Sequence, residues 1–179
     1  SLPPVQVASR IVALTSGDFI DVEGAFEAVS MIRGLDADIL VEALKSLPSV
    51  ARDWRQRGPA ATFLLNELAK SDPLRAMALA DGQDTKAVVL ARWMEKDNAT
   101  ALSWLDDEFA SKGTDRDTRK LLVMAVEKLA RKDLNASLGL AAKHVLPDTA
   151  YDTYAVLAQV AEGPASRQQV YEAIHALGE

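Results

Sequence analysis

Apolar residues recur along this chain three and four positions apart, in one segment after another, and strict alternation is nearly absent. Leu65 with Leu68, Leu90 with Trp93, and Val126 with Leu129 are three such pairs. Helix start and stop residues divide the chain into about twelve segments of this kind. Segments 4–14 and 22–32 come first, the second closed by Gly34, and 37–47 opens after Asp36 with a stop expected at Pro48. A short segment, 50–56, is expected to end at Gly58, after which Pro59 opens 60–70. Asp72 then precedes a short helix from Pro73 to a stop at Gly82. Segments 85–96 and 98–110 follow, then 115–131 and 134–145 beyond a polar break at Gly113. Pro147 separates these from 149–161 and 166–177. Connections of roughly two to five residues make consecutive helices antiparallel neighbours.

Part of this pattern repeats. Asp72, Asp97 and Asp133 stand at the centre of LAKSDPLRAMALA, WMEKDNATALSWL and LARKDLNASLGLA. Four residues before each Asp are Leu68, Trp93 and Leu129, and seven before are Leu65, Leu90 and Val126, so each preceding helix offers the same apolar face. Five residues after come Met77, Leu102 and Leu138, and two further on Leu79, Trp104 and Leu140. Small residues, Ala76, Ala101 and Ser137, lie four after the Asp, where a neighbouring helix can approach closely. The three aspartates are 25 and then 36 residues apart, with the longer gap taken up around 111–118, so the array is not a strict tandem. The expectation is an all-α chain of stacked antiparallel hairpins, a short α-solenoid occupying 1–179 as one helical-repeat domain, with its clearest repeats within 60–145.

The string WMEKDNATALSWL, with LAKSDPLRAMALA, resembles the W-x-x-x-D-P-x-x-A-x-x-W-L type of repeat in long helical-repeat proteins of Verrucomicrobia and related bacteria, and more loosely tetratricopeptide-type repeats. The resemblance covers roughly 60–145 and consists of caps and core positions, so it implies a fold and a bacterial source but no activity. The location is left open, with the cell envelope or periplasm slightly favoured over the cytoplasm.

Composition narrows the function classes. Hydrophobic residues make up 49% of the 179 residues and aromatic ones 6%, which suits close helix packing. The net charge of −6, with basic and acidic residues interleaved, gives no footprint for nucleic acid. Apolar stretches are too short to span a bilayer. There is no cysteine, which removes disulfides, thiolate metal sites and a cysteine nucleophile. The chain begins with Ser1, as expected of a piece excised from a longer precursor or of a residue left by cloning.

Candidate chemistry is sparse. The repeated aspartates stand where a helix cap is needed, and capping accounts for them better than a carboxylate cluster. His144 and His175 are the only histidines; either could join a carboxylate such as Asp148 or Glu172, but both fall in last helical turns, where an imidazole suits the helix dipole. Asp106, Asp107 and Glu108 are adjacent and point in different directions on a helix, as a solvated face does. No serine lies in a nucleophile elbow, and Gly58–Pro59 and Gly163–Pro164 are helix breaks rather than phosphate-binding loops, so no catalytic residue, metal or cofactor is expected.

Arg52, Trp54, Arg55 and Arg57 form the strongest candidate surface, because arginine and tryptophan are the residues most enriched at binding hot spots. The alternative is that Trp54 packs into the core while the arginines meet solvent and neighbouring acids. Trp93 and Trp104 occupy repeat-equivalent positions and are expected to be packing residues. Together these features point to a non-enzymatic scaffold or adaptor that holds another protein or peptide. Two other classes remain open: a helical accessory domain of a cell-envelope enzyme, and a carrier of a small molecule or lipid between its helices, for which an unfilled apolar cavity is the mark. The last segment keeps an apolar stripe through Val170, Ile174 and Leu177 that either packs inward or offers an end to another repeat.

Overall fold

Aspartate decides where most of these helices begin. In the computed structural model, which describes residues 2–16, 22–113, 115–144 and 150–176 apart from the side chain of Asp152, six aspartate side chains accept first-turn backbone N–H groups. Asp36 takes the amide of Asp38 at 2.8 Å, Asp53 that of Gln56 at 3.0 Å, and Asp115 that of Thr118 at 2.7 Å. The three repeat aspartates do the same three residues ahead: Asp72 to Arg75 at 3.0 Å, Asp97 to Thr100 at 3.1 Å and Asp133 to Ala136 at 2.9 Å. Each bond satisfies a donor that the helix itself leaves without a partner.

The fold is all-α, with eleven helices and no strand among the described residues. They are α1 (Pro4–Thr15), α2 (Val22–Ile32), α3 (Ala37–Val50), α4 (Trp54–Ser71), α5 (Pro73–Leu79), α6 (Gln83–Lys96), α7 (Asn98–Lys112), α8 (Arg116–Ala130), α9 (Leu134–His144), α10 (Ala150–Val160) and α11 (Gly163–Ala176). The expected boundaries at Val145, Pro147, Thr149 and Leu177 lie outside the described residues. No described helix is long and apolar enough to cross a membrane.

Neither the stop expected at Pro48 nor the break expected at Gly58–Pro59 occurs. Pro48 lies inside α3, which continues to Val50, where Ala51 donates to the Leu47 carbonyl at 2.9 Å. Pro59 lies inside α4, so the segments expected at 50–56 and 60–70 are one helix that begins at Trp54. The physical reason at Pro59 is the residue before it. A side chain there would be pushed out of the helical region by the proline ring, and Gly58 has none. Only one ladder bond is forfeited at each proline.

By their contacts the residues divide into two compact units, Ser1–Lys96 and Asp97–Glu179, with the boundary at the turn of the second repeat. In the first, α1 packs on α2 and α3, α3 on α4, and α4 on α5 and α6, while α1 and α2 also reach α4. Ile11, Ile32, Leu40, Leu64, Leu65, Leu68 and Leu90 are almost wholly buried, each worth about 1.5–3 kcal/mol of transfer free energy. Glu67 is buried on α4, where it accepts the Gly34 N–H at 3.2 Å and pairs with Lys70. Gly34 has φ +74°, so the α2–α3 turn needs glycine, and Glu67 fastens that turn to α4.

In the second unit α8 is central, touching α7, α9 and α10, and α11 lies on α9 and α10. Leu105, Ala125, Val126 and Leu157 form its core. Ser137 is fully buried and its hydroxyl donates to the Val126 carbonyl at 2.7 Å, joining the residue four after the repeat Asp to the residue seven before it. Its counterparts Ala76 and Ala101 are equally buried, so all three positions require a small side chain. Trp93 is buried as expected; Trp104 is only partly so. Val170 is buried and Ile174 half exposed, so the last helix packs inward through part of its stripe.

Candidate functional site

The arginine–tryptophan segment lies at the start of α4. Asp53 caps the helix by accepting from the Gln56 amide, and the Gln56 side chain returns to accept the Arg52 N–H at 2.9 Å. This reciprocal pair holds Trp54, Arg55 and Arg57 on the first two turns of a helix and not on a free loop. Trp54 does not enter the core: it is 71% exposed. The Arg55 guanidinium stands 5.7 Å from the Trp54 ring centre, within cation–π reach. None of Arg52, Arg55 and Arg57 forms an ion pair with another described residue.

Beside Trp54 is a groove of about 410 Å³ confined to the first unit. Its floor is one face of α4, where Trp54, Arg57, Gly58, Ala61 and Leu65 recur at three- and four-residue spacing. Leu47 and Pro48, at the end of α3, form one wall, and Leu79 of α5 with Asp81 the other. The groove exists because two of the five floor positions, Gly58 and Ala61, are small; a Cβ added at Gly58 would meet nothing within 4 Å. Leu65 is 1% exposed and closes the inner end against the core.

A second cluster lies on the other unit. His144 Nε2 is 2.5 Å from Asp106 Oδ1, and Lys143 Nζ donates to Asp106 Oδ2 at 2.6 Å. The His144 ring stacks on Phe109, with centres 4.3 Å apart and planes at 17°. Burial alone raises the affinity of the Asp106 carboxyl for a proton, but the hydrogen bonds and charges of Lys143 and His144 outweigh it and hold the group below its ordinary 3.8. Each carboxylate oxygen takes one of these partners, so the cluster ties α7 to the end of α9.

The remaining candidates are dispersed. Asp107 is exposed and Glu108 pairs with Lys112 at 2.5 Å, so the three adjacent acids do face different ways. His175 sits against Tyr171, with ring centres 5.7 Å apart, while Glu172 accepts from Gln168 at 3.0 Å. Asp148, the carboxylate considered for His144, lies outside the described residues, and the partner of His144 is Asp106. Among the described residues no three His, Asp or Glu side chains converge as a metal ion requires.

Sequence reasoning missed the groove, because a helix break at Gly58–Pro59 hid the stripe that runs from Trp54 to Leu65. It also missed the pairing of Asp106 with His144, which are 38 residues apart. Set against models of protein families, curated protein sequences and solved structures, the chain matches none of them.

Proposed function

We propose that this chain is a binding module of helical-repeat type, an adaptor that holds another protein or peptide in the groove of α3, α4 and α5, with Arg52, Trp54, Arg55 and Arg57 as its principal contacts. One observation carries the proposal. A tryptophan left 71% exposed, fixed on a capped helix beside an apolar recess and next to three arginines that form no ion pair with another described residue, matches the composition and geometry of a binding hot spot. Support for the repeat organisation is that the main helix contacts within each unit join near neighbours in the chain. Stacked hairpins tolerate variation on their surface without harm to the core, which suits recognition.

The test is capture of partners from lysate by the parent chain beside two variants, Trp54→Ala and the combined Arg52→Ala, Arg55→Ala and Arg57→Ala, with bound species identified by mass spectrometry. A protein held by the parent and lost from both folded variants supports the adaptor. Equal capture by all three removes the patch from the proposal. A volume of about 410 Å³ also falls within the range of small-molecule pockets, so a non-protein mass retained on the parent in native mass spectrometry would replace the adaptor with a carrier.

A further inference from the structure

We infer that the occupant of the groove is an acidic peptide segment bearing one large apolar side chain, an inference that rests on the groove being a binding site. Charge is the first argument. The chain as a whole carries −6, yet Arg52, Arg55 and Arg57 gather within six residues at the start of α4, with Arg57 at one lip of the groove, and none of them forms an ion pair with another described residue. Asp53 is committed to the α4 cap, and the acid that lines the groove, Asp81, stands on its opposite side. Planar guanidinium groups match carboxylates in paired hydrogen bonds, so this lip selects Asp and Glu side chains.

Shape is the second argument. Leu47, Pro48, Ala61 and Leu79 line the recess with apolar surface beside Trp54, so it takes in an apolar side chain. Asp81 lines the opposite side and repels carboxylates, which sets the acidic residues of the segment toward the start of α4. Nucleic acid is disfavoured by the same layout. A polyanion needs a track of cations, whereas here three arginines occupy one helix start on a chain of net negative charge.

Three fluorescein-labelled peptides test the inference by anisotropy against the full chain: one rich in Glu with a central Phe, the same with Ala for Phe, and the same with Lys for each Glu. The Glu–Phe peptide is expected to bind, more weakly as salt rises, and at least roughly tenfold more tightly than either control. The combined arginine-to-alanine variant should lose roughly tenfold in affinity. Ala61→Phe, which fills the recess and keeps every charge, should abolish preference for Phe over Ala. Circular dichroism confirms that both variants fold. Comparable binding of the Lys peptide, or unchanged affinity in the arginine variant, overturns the inference. Lys-peptide binding lost in Ala61→Phe would reject the acidic partner and keep the groove, and no binding by any peptide at roughly millimolar concentration rejects the inference while the capture experiment judges the groove itself.

Discussion

Replacing Ser137 separates the two demands that the repeat makes at its closest approach. The hydroxyl donates to the Val126 carbonyl at 2.7 Å in a fully buried setting, and the equivalent residues Ala76 and Ala101 lack any such donor. Ser137→Ala therefore removes one hydrogen bond and orphans nothing, since Val126 keeps its place in the ladder of α8, and the expected cost is about 0.5–1.5 kcal/mol. Ser137→Leu loses the same bond and also drives two further carbon atoms toward backbone that already lies 2.7 Å from the hydroxyl oxygen. Overpacking of this kind costs about 1–3 kcal/mol more. Urea unfolding followed by far-ultraviolet circular dichroism should rank the chains parent, Ala, Leu. Hydrogen exchange at α8 and α9 is the necessary companion, because two compact units need not unfold together. If Ser137→Leu is as stable as Ser137→Ala, and α8 and α9 are equally protected in both, close helix approach is not what the small residue serves.

Three other outcomes follow from particular contacts. Glu67→Ala strips the Gly34 amide of its acceptor and Lys70 of its partner, and should cost about 2 kcal/mol in urea unfolding, with Lys70→Ala costing less because Lys70 is more exposed. Asp106 has a folded-state affinity for protons below its ordinary 3.8, so its stabilising contribution is complete above that value and is lost as pH falls through the lowered one. Thermal melts should accordingly show Asp106→Asn less stable than the parent near neutrality, with the gap closing in acid; a gap independent of pH would mean that Asp106 acts by packing alone. Acrylamide should quench the fluorescence of the parent far more than that of Trp54→Phe, since Trp93 is buried and Trp104 partly so.

What was legible in the sequence was local. An aspartate at the end of one apolar stripe and the start of the next can satisfy amides two or three residues ahead, so Asp72, Asp97 and Asp133 could be read as caps with no knowledge of the fold, and their bonds of 2.9–3.1 Å agree. Prolines are local as well, yet Pro48 and Pro59 misled, because a single lost ladder bond weighs less than the burial of Leu44 and Leu47 before the first and of Leu64, Leu65 and Leu68 after the second. Once α4 runs unbroken through Pro59, Trp54 and Leu65 share one face of one helix, and whether that face is core or groove depends on the volume between them. Gly58 and Ala61 leave that volume empty, and the end of α3 does not fill it. Trp54 could thus be placed on neither side by its own surroundings in sequence: a tryptophan with larger residues at its fourth and seventh neighbours would have met packed side chains, whereas here it borders open space. The same distinction separates Ser137 from Ala61. Both are small residues on apolar helix faces, but the first is small so that a helix can come close, and the second stands where none does. The patch at Arg52 to Arg57 therefore takes its site-like character from residues outside it, above all from what Gly58 and Ala61 lack.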